Sequence, residues 1–131
     1  MIPNYEKASS KAKEIYLKYN TNNPLEVICK QPNTLVLSFL ELSSAIGVNR
    51  DALLMVCGED NQDAVTTVHN ENGKIRYLIA YNQKLPDYAI TVALARELGH
   101  IALGHDGSRP EETRNEEALC FAYHFICQKE G

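Results

Sequence analysis

Apolar residues recur every three or four positions in some stretches of the chain and cluster or alternate in others. From Asn4 to Tyr19, Ala8, Ala12, Ile15, Tyr16 and Tyr19 fall on one face of a 3.6-residue repeat, which predicts an amphipathic helix. Asn20-Thr21-Asn22-Asn23 breaks that pattern, and Pro24 suits the first turn of a short second helix over Leu25 to Lys30. Thr34-Leu35-Val36-Leu37-Ser38 is a run of branched and apolar residues and reads as a strand. Phe39 to Cys57 is ambiguous: Glu41 to Ile46 fits a helical turn closed by Gly47, and Asp51 fits the cap of another. Ala64 to His69 and Lys74 to Tyr81 are rich in β-branched and aromatic residues. They read as two strands joined by the hairpin turn Asn70-Glu71-Asn72-Gly73. Pro86-Asp87 then opens a helix over about Tyr88 to Leu103, ended by Gly104. After a polar loop from Asp106 to Pro110, a last helix runs from about Glu111 to Gln128. The order is helices, then a small and mostly antiparallel sheet, then two helices, which is an α+β arrangement and not alternating βαβ. With 131 residues, the chain is expected to form one domain, 1–131, around one core.

Composition narrows the class. Hydrophobic residues make up 44% and charged residues 23%, which is globular, and the net charge of −4 weighs against a phosphate-binding surface. No basic run suggests nucleic acid, no stretch approaches the ~18 apolar residues of a membrane span, and the first residues lack a signal-peptide pattern. A cytoplasmic protein is expected. Cys29, Cys57, Cys120 and Cys127 contain no CxxC pair, and the last two lie seven apart on one expected helix, ~10 Å between Cα atoms, too far for a disulfide. Free, buried thiols are the expectation.

The chemistry concentrates in Ala95-Arg96-Glu97-Leu98-Gly99-His100-Ile101-Ala102-Leu103-Gly104-His105. Glu and His three apart on a helix often form nothing more than a surface pair. Here Ala89, Val92, Ala93, Leu94, Leu98, Ile101 and Ala102 make the helix apolar over much of its circumference. In such a helix Glu97 and His100 must either be paired or face a cleft. His69 and His124 have no partner pattern and read as ordinary sheet and helix residues.

The run Tyr77-Leu78-Ile79-Ala80-Tyr81-Asn82, then Leu85-Pro86, then Leu94 to Ile101 and Leu103-Gly104-His105, resembles the core of the ImmA/IrrE zinc-peptidase family, whose helix reads roughly L-A-H-E-L-G-H-I-x-L-G-H. Asn115-Glu116-Glu117-Ala118-Leu119-Cys120-Phe121-Ala122 is similar to that family's E-x-E-A-x-x-F-A helix. The resemblance covers most of the chain but is motif-specific only from about Tyr77 to Ala122. It implies a small zincin-like domain that cleaves or inactivates a helix-turn-helix repressor. In H-E-x-x-H two histidines one turn apart hold zinc, the glutamate between them is the general base, and a third ligand comes from another element. Carried over, Glu97 matches the catalytic base and His100 the second histidine ligand.

Two departures change what the resemblance implies. Arg96 stands where the first histidine ligand belongs, and a guanidinium has no lone pair for a metal. The family's third ligand aligns with Asn115, a weak zinc ligand, although a shifted register would deliver Glu116 or Glu117 instead. His105 lies ~140° round the helix from His100, so it joins the site only if the helix ends at Gly104. Otherwise it simply meets the last carbonyls. Arg96 either bridges to carboxylates in the vacated zinc position or extends to solvent. Metal candidates are thus His100, Glu116 and Glu117, with Arg96, Asn115 and His105 lining the pocket, and zinc binding itself is left open. Two functions remain: a regulatory protein that binds a repressor-type protein partner, or a zinc-dependent peptidase with non-standard ligands. Either way, no direct contact with nucleic acid or membrane is expected.

Overall fold

The computed structural model describes residues 2–46, 63–105, 108 and 110–128. Helix α1 spans Tyr5–Tyr19. The Asn4 side chain caps its start by accepting from the Lys7 N–H at 3.0 Å, and Asn20 ends it in the left-handed conformation (φ 53°). Helix α2, Pro24–Cys29, starts on Asn23 with Pro24 in its first turn.

Strand β1, Thr34–Ser38, runs directly into helix α3, Phe39–Ile46. The junction is a capping box: Ser38 Oγ accepts from the Glu41 N–H and Glu41 Oε1 accepts from the Ser38 N–H, both at 3.0 Å. The expected roles of Gly47 and Asp51, and the Cys57 thiol, lie outside the described residues. Strands β2, Ala64–Glu71, and β3, Lys74–Tyr81, form the hairpin, and their turn is tighter than expected. Its central residues are Asn72 (φ 53°) and Gly73 (φ 83°), the two positive φ values of a two-residue hairpin turn.

The sheet order is β1-β3-β2, with β2 antiparallel to β3 and β1 parallel to it. The sheet is therefore mixed, where the sequence suggested a mostly antiparallel one. Local turn signals betray the hairpin, but they say nothing of a pairing between strands separated by α3 and β2. Helices α4, Asp87–Ala102, and α5, Glu111–Ile126, complete an α+β fold.

The core joins Ala8, Ala12 and Tyr16 of α1 to Val27 and Ile28 of α2, Ile79 of β3, Leu94 and Leu98 of α4, and Phe121 and Phe125 of α5. Helices α4 and α5 approach closely because position 99 is glycine. A Cβ there would lie 2.9 Å from Phe121 Cδ1. Among the described residues no helix is long and apolar enough to cross a membrane. The free Cys29 and Cys127 thiols are exposed and Cys120 is half-buried, so the expectation of buried thiols is corrected: Cys29 and Cys127 sit at the last position of α2 and just after α5.

Candidate functional site

The site grows from the end of α4. Gly104 adopts φ 64°, so the chain reverses: the His105 N–H donates to the His100 carbonyl at 3.0 Å and the Gly104 N–H to the Ile101 carbonyl at 3.1 Å. This is a Schellman closure. It removes the ~140° offset that a continuing helix would impose and swings the His105 ring onto His100. Their Nδ1 atoms lie 2.8 Å apart, and the rings meet edge to face.

His105 Nε2 then reaches Glu117 Oε1 at 2.9 Å, and both side chains are 2% exposed. The other carboxylate oxygen, Oε2, accepts from the Asn4 backbone N–H at 2.6 Å. One buried chain of hydrogen bonds thus links α4, α5 and the start of α1. Its directions follow from valence. A carboxylate only accepts, so His105 Nε2 carries a hydrogen. One hydrogen lies between the two Nδ1 atoms, and His100 Nε2 lies outside the bridge. Burial, His105, Arg96 and Arg114 together push the His100 pKa down from 6.5 to about 4, so His100 is neutral at pH 7.

Glu97, one turn earlier, is 7% exposed. Burial raises its pKa from 4.5 to about 7, against the opposing pull of Arg96 and Thr66. The Thr66 hydroxyl on β2 draws near enough to favour the carboxylate, yet its buried oxygen lacks a partner with full hydrogen-bond geometry. A buried carboxyl titrating near neutrality at a cleft is suited to exchanging a proton with a bound group.

Arg96 is half-buried at the mouth with Glu111 and Asn115, and it forms no ion pair among the described residues. It therefore acts on Glu97 and His100 at a distance and bridges to neither. Asn115 is exposed and lines the same mouth. Glu116 turns away: it is exposed and accepts from the Tyr5 hydroxyl at 2.7 Å. Of the two glutamates, only Glu117 reaches the imidazoles. His69 and His124 are exposed, outside this cluster.

Beside these groups lies a cleft of about 980 Å³. One wall is β2, from Ala64 to Val68. The others include Glu97, His100 and His105, together with Glu111, Arg114 and Asn115 from α5. Strand β2 is an edge strand: among the described residues no strand pairs with its outer side.

The zinc implied by the resemblance does not fit this arrangement. A tetrahedral zinc at ~2.0–2.1 Å from its ligands holds donor atoms about 3.3 Å apart, all aimed at one point. Here the two Nδ1 atoms are aimed at each other at 2.8 Å, and both Glu117 oxygens are engaged, by His105 and by Asn4. The Arg96 position offers no lone pair. Of the three ligand positions, only His100 retains a free nitrogen. Among the described residues no three histidine, cysteine or acidic side chains form a group that could hold a metal ion.

Sequence reasoning missed Asn4, whose contribution is a backbone N–H and leaves no trace in residue type. It also missed Thr66, although the β-branched run from Ala64 marked its strand. Comparison with known families, with curated proteins and with solved structures gives no match.

Proposed function

We propose that this chain is an ImmA/IrrE-like domain of zincin-like descent that has lost its metal and retains the cleft, acting as a regulatory protein that binds an extended segment of a repressor-type partner. The carrying observation is the bridge itself. His105 stands between His100 and Glu117 and satisfies both, which is the role a zinc ion would take between them. The cleft supports the binding half of the reading. An edge strand beside a long concave wall suits an extended peptide that adds to the sheet through main-chain hydrogen bonds. Glu97 and His100 would then meet polar groups of that peptide, without the metal-activated water a peptidase needs. A role in the cytoplasm acting on gene control would be indirect, through the partner.

The second reading, a zinc-dependent peptidase with non-standard ligands, would need the His100–His105–Glu117 bridge to open so that two imidazoles and a carboxylate could turn to one ion. One experiment separates the two. Peptides tiling helix-turn-helix repressors are titrated into the isotope-labelled protein, with and without one equivalent of zinc. The proposed function predicts saturable amide shifts along Ala64 to Val68 and at His100, with every peptide recovered intact. Cleavage that depends on added zinc would favour the peptidase, and no shift along β2 with any peptide would remove the binding role.

A further inference from the structure

The inner face of the β2–β3 hairpin loses its cover along its length. Ile79 is fully buried in the core, Tyr77 is half-buried and Ile75 is 48% exposed. Val68 pairs with Tyr77, and both share the face that Ile75 and Ile79 occupy. Val68 itself is 59% exposed. With the half-buried Ile101 of α4, these side chains line one end of the cleft and present surface to whatever enters it.

Charge gathers at the other end. Glu97, His100, Glu111 and Asn115 line the cleft and also a smaller recess with Asp63 and Arg96, beside Ala64 at the start of β2. Arg114 is close enough to His100 to push its pKa down. Val68 is four residues along the strand from Ala64, ~13 Å at the rise of a strand. An ion brought against Val68, Ile75 and Ile101 would lose water and meet no opposite charge from them. Between the two ends, Thr66 neighbours Glu97, and its buried hydroxyl lacks a partner with full hydrogen-bond geometry.

We propose that the Val68 end is an anchor subsite, selecting in the extended partner segment a large uncharged apolar side chain that stands two residues from a hydrogen-bonding one. This rests on the proposed binding function and adds a sequence preference to it. A segment laid along β2 turns every second side chain into the cleft, ~6.6 Å apart. Two successive inward side chains therefore meet Thr66 with Glu97, and then Val68. Main-chain hydrogen bonds hold such a segment whatever its sequence, and the pockets for alternate side chains choose among sequences. A leucine or phenylalanine side chain beside Val68 reaches over it towards Tyr77 and Ile101, whereas the methyl group of alanine ends at Val68.

The test titrates four capped seven-residue peptides into the isotope-labelled full chain. They consist of serine and threonine except for a central leucine, phenylalanine, alanine or aspartate. The leucine and phenylalanine peptides should bind about tenfold tighter than the alanine peptide, the order expected for one partly buried apolar side chain. They should also shift the amides of Val68, Ile75, Tyr77 and Ile101, and the aspartate peptide should bind more weakly than the alanine one. Val68→Thr with Ile75→Thr keeps two residues that suit a strand, so the spectrum should stay folded while the preference for leucine falls to about twofold. Each single variant should fall between. Equal affinity of the leucine and alanine peptides, with shifts along Ala64 to Val68, would overturn the anchor subsite and leave the binding function standing. An undiminished preference in the folded variants would overturn the subsite too, and no shift along β2 with any peptide would remove both.

Discussion

Replacing Glu97 by glutamine should stabilise the protein at alkaline pH and leave it unchanged in acid. The carboxyl is buried against β2 and titrates near 7 in place of 4.5. Between those values the folded chain holds a proton that the unfolded chain has released, so stability falls as pH rises through this window. Below 4.5 both states are protonated and Glu97 contributes no pH dependence. Above 7 the folded chain carries a desolvated carboxylate, and the cost has reached its limit. At about 1.4 kcal/mol for each pH unit, the gap between 4.5 and 7 corresponds to on the order of 3 kcal/mol. Glutamine has nearly the same shape and no charge to desolvate.

Urea unfolding of both proteins, followed by far-ultraviolet circular dichroism from pH 4.5 to 8, measures the difference directly. His100 titrates in the opposite sense, its stabilisation fully present above pH 6.5 and lost as pH falls towards about 4. It is present in both proteins and cancels in the comparison. The variant should gain about 2–3 kcal/mol by pH 8 and nothing at pH 4.5. A difference that does not vary with pH would mean that burial does not raise the Glu97 pKa. A variant less stable at pH 8 would mean that a cation already partners the carboxylate.

Substitutions at four further positions probe the scaffold. Glu117→Ala strands the His105 Nε2–H and the Asn4 N–H without an acceptor and should cost about 2–4 kcal/mol, read as a Tm drop on the order of 10 °C. Glu116→Ala, at an exposed neighbour, should stay within about 0.5 kcal/mol, and equal losses for the two would contradict the burial difference. Gly104→Ala should lose about 1 kcal/mol to left-handed strain at φ 64°, and Gly104→Asn should recover most of it in the same melting assay. Gly99→Ala drives a methyl group into Phe121, and the ~1–3 kcal/mol of overpacking should outweigh the ~1 kcal/mol gained in helix propensity. A rise in Tm for this variant would mean that the α4–α5 contact is loose.

Much of the fold is readable in local chemistry. Pro24 opens α2 and Asn72-Gly73 turns the hairpin, while the apolar repeats give α1, α4 and α5. The capping box is also legible, since Ser38, the last residue of the expected strand, and Glu41, in the ambiguous stretch, stand at the required spacing. The site was legible in part. The choice between Glu116 and Glu117 depends on helical phase: Ala118 and Ala122 are buried, and Asn115 lies beyond the edge of the face they share. The row Thr113, Glu117, Phe121 and Phe125, at steps of four, is buried beside it and is the one that carries a carboxylate. The position of His105 depended on whether Gly104 ends the helix, which the glycine suggests but only the left-handed φ decides. The parallel β1–β3 pairing and the Asn4 anchor on Glu117 join residues far apart in sequence through backbone groups, for which residue identity carries no code.

In the proposed function an imidazole bridge stands in place of a metal. Zinc content measured on protein purified without chelators from zinc-supplemented medium tests it, with Arg96→His measured in parallel. Well under 0.1 equivalents of zinc are expected in the native chain, because within the His100–His105–Glu117 bridge only His100 Nε2 has no partner among the described residues. The variant should gain little, because His105 and Asn4 still occupy Glu117. One equivalent of zinc in the native chain, retained until a chelator strips it, would mean that the bridge opens to a metal and that the proposed function is wrong.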